Sequence, residues 1–95
     1  MKTRKPKFIY FAFDETDDFS HDGRYDQYLK SAHRADEFIK ELWEYTQSDS
    51  FYRNKTTFII TCDHGRGNGE TRPDDWKGHG YDIKNSDQTW VIAFG

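Results

Sequence analysis

Two aspartates and three histidines carry the chemistry this chain can offer. Asp17 and His21 stand four residues apart, Asp63 and His64 are adjacent, and His79 follows beyond a glycine-rich stretch. Carboxylate oxygen and neutral imidazole nitrogen suit Zn²⁺ at neutral pH, and also Mn²⁺ or iron, because neither needs a large pKa shift to coordinate. Two metals about 4 Å apart can hold both the entering and the leaving oxygen of a displacement at phosphorus, which takes roughly six or seven protein ligands. The five candidates here fall short, so a two-metal site built on them needs ligands from elsewhere. Asp14 and Asp18 compete with Asp17 for its place, and a lone aspartate at a strand end also serves as a cap. Arg66 and Lys77, in the long loop before His79, are candidates to meet a substrate phosphate. His33 lies on the polar side of a helical stretch and reads as solvated.

The elements that must position these residues follow from periodicity. Phe8 to Phe13 is a continuous apolar run, as in a strand buried on both faces of a parallel sheet. Glu15 to Gly23 is polar and reads as a loop at that strand's carboxyl end. From Arg24 to about Gln47, Tyr25, Tyr28, Leu29, Ala32, Ala35, Ile39, Leu42 and Trp43 recur at spacings of three and four, predicting one amphipathic helix. Asp22 or Gly23 is its candidate cap, and Ser48-Asp49-Ser50 ends it. Asp36 falls on or beside the apolar face, where an unpaired carboxylate is costly, so it should have a partner or reach the face's edge.

A second strand spans Thr56 to Cys62, and a third closes the chain over Thr89 to Phe94. Cys62, the single cysteine, reads as a small buried hydrophobe. The strand, helix, strand order predicts parallel neighbours joined by a right-handed crossover. The fold class is therefore α/β: a strand-helix-strand-loop-strand piece of a doubly wound, mainly parallel sheet. With its ligands too few for a complete site, residues 1–95 read as a single segment, the carboxyl-terminal portion of a larger catalytic domain. Such sheets bind ligands at the carboxyl ends of their strands, where Asp17, His21, Asp63 and His64 lie. Gly65-Arg66-Gly67-Asn68-Gly69 lacks the terminal Gly-Lys-Ser/Thr of a phosphate-cradling loop.

Composition narrows the partners. The chain is 34% hydrophobic, but 18% aromatic, with eight Phe, six Tyr and three Trp, which is not the make-up of a disordered segment. A net charge of −3 gathers no nucleic acid, and no apolar run approaches the roughly 18 residues of a membrane span. Met1 to Lys7 is basic, but the apolar run after it is too short for a secretory leader. Small molecules are the expected partners.

Taken together, Asp17-x-x-x-His21, a helix, a strand running into Asp63-His64-Gly65, and His79 within Lys77-Gly78-His79-Gly80 resemble the carboxyl-terminal metal-binding part of the alkaline phosphatase superfamily. That group includes nucleotide pyrophosphatases/phosphodiesterases, cofactor-independent phosphoglycerate mutases, phosphopentomutases and the more distant sulfatases. The resemblance runs from about Phe8 to Phe94. It implies that Asp17, His21 and His79 hold the metal on the leaving-group side, while Asp63 and His64 hold the one that activates the nucleophile. It also implies that the remaining ligand and the Ser or Thr nucleophile stand upstream, so the isolated chain should be inactive. Zinc is the first expectation for the two metals and manganese the second, with a phosphate or related ester as substrate. The other reading is a non-catalytic metal-binding or interaction module. In either case the apolar sheet faces should be covered, by the rest of a catalytic domain or by a second copy.

Overall fold

The computed structural model describes residues 3–95. Helix α1 runs from Glu15 to His21 and α2 from Tyr25 to Ser48. Strands β1, Phe58–Thr61, and β2, Val91–Phe94, form a two-stranded antiparallel sheet, and a 3₁₀ turn over Asp75–Lys77 lies in the long excursion between them. The chain is a mixed α/β segment.

Helix α2 forms where the three-and-four spacing predicts it. It begins after Gly23, whose φ of +70° lets the chain turn sharply out of α1, and no side chain caps it. It ends at Asp49, which turns to extended backbone while its carboxylate accepts the Phe51 N–H at 2.8 Å. Asp36 is exposed, at the edge of the apolar face, where water solvates its carboxylate.

Three expectations are corrected. The stretch 15–23 is not a plain loop: Glu15, Asp17 and Asp18 occupy the first turn of α1 and His21 the last, an arrangement that complements the helix dipole. Phe8 to Phe13 forms no ladder: β1 and β2 are the only paired strands among the described residues, and the run pairs with neither. Instead Phe11 and Phe13 meet Phe38 of α2 edge-on, at ring separations of 5.3 and 5.5 Å. The pair expected to be parallel, Phe8–Phe13 beside Thr56–Cys62, does not form among the described residues; β1 pairs with β2, antiparallel, with Phe58 opposite Phe94 and Thr61 opposite Val91. Cys62 lies just past β1 and is half-buried rather than buried.

Aromatic contacts join the sheet to the long helix. Trp43 stands edge-on to Phe58 at 5.5 Å and to Phe94 at 5.2 Å, and those two rings stack on each other at 5.2 Å. Helix α1 packs on α2, with Arg34 Nη2 reaching Glu15 Oε2 at 3.1 Å across the exposed rim. The shape is long, 51 × 23 × 18 Å, with a radius of gyration of 16.5 Å, against about 12 Å for a compact domain of this length. Little apolar surface is enclosed: Tyr52 and Ile83 are the buried hydrophobic residues among those described, while Phe8 is 84% and Ile59 71% exposed.

Candidate metal centre

The short helix α1, about two turns long, explains why a spacing of four suits Asp17 and His21. Residues i and i+4 share a helix face, and here His21 Nε2 stands 3.2 Å from Asp17 Oδ2. His79 arrives from the long loop, its Nε2 at 3.6 Å from Asp17 Oδ1. One ligand atom from each of Asp17, His21 and His79 lies within 4.8 Å of the others. Four-coordinate zinc with bonds of about 2.05 Å sets neighbouring ligand atoms roughly 3.3 Å apart. The oxygen-nitrogen-nitrogen set of this chain fits such an ion.

His64 is drawn to the same carboxylate. Its Nε2 is 3.7 Å from Asp17 Oδ1, and its ring stacks on that of His79 with centroids 3.6 Å apart and planes at 22°. His64 Nδ1 is 2.9 Å from the Gly65 carbonyl oxygen. Since a carbonyl only accepts, that contact puts the proton on Nδ1 and leaves the Nε2 lone pair for a cation. Burial, and then the neighbouring His64, Arg66 and His21, hold the His79 pKa below its ordinary value. A neutral imidazole is the form that ligates.

Four of the five candidate ligands therefore gather around the Asp17 carboxylate, and Asp63 stands at their exposed edge beside His64. Its side chain is 89% exposed; Oδ1 accepts the His64 backbone N–H at 3.0 Å and lies 3.7 Å from His64 Nε2. The competitors Asp14 and Asp18 occupy the start of α1, with Asp14 at its N-cap position. His33 pairs with Glu37 at 3.2 Å on the exposed side of α2. Lys77 lies along Gly23, and an open cleft of about 600 Å³ beside the histidine pair is lined by His64, His79, Tyr81, Asn85 and Ser86 among others.

Arg66 has a different place from that of an exposed cation awaiting an anion. Its side chain is 15% exposed, Nη2 bonds to Asp17 Oδ1, and Nη1 donates to Ser20 Oγ at 2.6 Å and to the Trp76 carbonyl at 3.2 Å. Ser20 is wholly buried and donates its own hydroxyl to the same carbonyl at 2.8 Å. Asp75, 1% exposed, organises the loop that carries Arg66. It accepts N–H groups of Gly69 at 2.7 Å, Thr71 at 2.9 Å and Arg72 at 3.3 Å. Burial pushes the Asp75 carboxyl up, but these donors outweigh it and hold it below the ordinary value.

Ser20 and Asp75 escaped the reading of the sequence. Nothing in a lone serine beside His21, or in one aspartate of an Asp-Asp pair, signals a partner tens of residues away.

A family model for the metalloenzyme superfamily matches residues 1–74, a span that includes Asp17, His21, Asp63 and His64. No curated protein and no solved structure matches the chain.

Proposed function

Because the chain belongs to the metalloenzyme superfamily, which is related to the alkaline phosphatase-like fold, we propose that it is the metal-binding part of a two-metal hydrolase or phosphotransferase acting on phosphate or related esters. The observation that carries this reading is the meeting of Asp17, His21 and His79 within 4.8 Å. Their types suit zinc first and manganese second. A metal bound there supplies charge stabilisation to a phosphoryl oxygen and lowers the pKa of a bound water.

The chain's own residues divide the remaining tasks. Asp17, His21 and His79 hold the cation on the leaving-group side. His64, its proton fixed on Nδ1 by the Gly65 carbonyl, presents Nε2 beside them. Asp63 supplies a carboxylate on the outer side, for a second cation shared with His64. Lys77 is the cation for the substrate's phosphate. The nucleophile and the remaining ligand come from residues outside this segment, and so does the rest of a doubly wound, mainly parallel sheet. The exposed faces of β1, β2 and the Phe8–Phe13 run support that, since Ile59, Val91, Ile92 and Phe8 are all open to solvent. The branch within the wider group is the phosphodiesterase or phosphoglycerate mutase side, whose implied ligand set uses His21 and His79 together.

In a protein containing the whole catalytic domain, His64→Ala and Asp63→Ala should each abolish turnover while the far-UV circular dichroism stays unchanged. Near-normal turnover from either variant would overturn the two-metal assignment.

A further inference from the structure

We propose that Arg66 is a positioning residue that fixes the carboxylate of Asp17, using Ser20 and the Trp76 carbonyl as its anchor, and that it does not contact substrate. The inference rests on the reading of Asp17 as a metal ligand.

An aspartate on the surface of a short helix swings freely about two side-chain bonds. As a ligand it must present one oxygen in one direction. Arginine's planar guanidinium offers several N–H donors in a fixed fork, so it can grip a carboxylate with one arm while the other arm is itself tied down. That division is seen here. Nη1 is held by the buried Ser20 hydroxyl and the Trp76 carbonyl, and Nη2 takes Asp17 Oδ1. Held this way, the carboxylate turns Oδ2 to His21 Nε2 at 3.2 Å, while Oδ1, the oxygen Arg66 holds, faces His79 Nε2 at 3.6 Å and His64 Nε2 at 3.7 Å.

The loop around Arg66 is shaped to deliver this grip. Gly65 donates its N–H to the Ser86 carbonyl at 2.8 Å, and a side chain there would run into the backbone carbonyls of Asn85 and Gln88. A side chain at Gly67 would strike the carboxylate of Asp75. Glycine on both sides lets the backbone pass close to its neighbours, and the side chain between them points to α1. An arginine meant for a substrate anion would leave its donors facing the cleft. The donors of Arg66 named here are spent on protein acceptors, in a group that is only 15% exposed.

The test is zinc affinity of the 95-residue chain by chelator competition, for the parent protein, Arg66→Lys and Ser20→Ala, with circular dichroism to verify folding. Lysine keeps the charge but has one ammonium in place of the fork. Arg66→Lys should bind zinc about 10- to 100-fold more weakly, as loss of a ligand's supporting partner does, and Ser20→Ala should be weaker in the same direction by less. Unchanged or tighter zinc binding in both variants would overturn the proposal. So would unchanged zinc binding with lost retention of inorganic phosphate by the zinc-loaded Arg66→Lys chain, which would make Arg66 a substrate contact. If Arg66→Lys does not fold, Ser20→Ala decides alone. If the parent chain takes up no zinc, the metal reading itself fails and the ¹H–¹⁵N imidazole signals of the metal-free chain decide the positioning. A displaced His21 signal in the variants, with His33 unmoved, supports the clamp; an unmoved His21 signal overturns it.

Discussion

The two ends of this molecule are built on opposite principles. Around Asp17, polar groups are drawn inward: Ser20 and Asp75 are almost completely buried, and each is matched to donors or acceptors in the same region. Around β1 and β2, apolar groups are turned outward, with Ile59, Val91 and Ile92 exposed on a sheet of two strands. Buried polar groups persist only when hydrogen-bonded. Exposed apolar patches persist in a stable protein when something else covers them. At the polar end Ser20, Arg66 and Asp75 find hydrogen-bond partners within the chain, whereas at the sheet end the apolar side chains lie open. The accessible area says the same: 7474 Å² for the chain, against roughly 5,800 Å² for a compact monomer of its mass.

That contrast can be broken most forcefully at the polar end. His21→Ala or His79→Ala should lower zinc affinity about 100-fold or more, since each removes one of few ligands sharing the binding free energy; elemental analysis and chelator competition would read it. Retention of one tightly held zinc by either variant would mean that the convergence at Asp17 is not a metal centre.

At the sheet end the junction with α2 is the sensitive point. Trp43→Ala removes two aromatic contacts and should cost about 1–3 kcal/mol in urea unfolding.

Acid should divide the two ends. The folded Asp75 carboxyl lies below the ordinary 3.8, so its contribution is complete above that value and fades as pH falls through the lower folded one. Hydrogen exchange of Gly69, Thr71 and Arg72 should therefore be faster in Asp75→Asn than in the parent at neutral pH, and the two should converge in strong acid. A constant difference down to the lowest pH would remove the carboxylate from this role.

The smallest effects sharpen the comparison by their smallness. Ile59→Lys should change the stability of the isolated chain by no more than about 0.5 kcal/mol, as at other exposed positions. A loss of 2 kcal/mol or more, with a halved mass in size exclusion, would show that a second copy covers the face. His33→Ala, which removes an exposed pair with Glu37, should stay within about 0.5 kcal/mol in the same unfolding experiment.

Much of this was legible along the chain. The apolar spacing from Tyr25 to Trp43 gave α2 nearly to the residue, because a 3.6-residue period repeated over many turns averages out local noise. The strands at Phe58 and Val91 stood out as apolar runs between polar neighbours. The run Phe8–Phe13 has the same composition yet pairs with nothing among the described residues, since an apolar run carries no instruction about which strand edge it will reach. Helix α1 hid inside a polar stretch because its stabilising signal is acidic residues in one turn, and the same residues also mark loops.

By itself the sequence determined which ligand types are present, their order along the chain and the long helix between them, all of which depend on residues a few positions apart. Only the tertiary structure decided that Asp17, and not Asp14 or Asp18, meets His21, His64 and His79; that Asp63 sits at the exposed edge beside His64; and that Arg66, 49 residues from Asp17, reaches back to hold it. Those outcomes depend on how α1 is docked on α2 and on where a glycine loop can pass. Such placement is set by the sum of many weak contacts across the chain, and no local spacing encodes it.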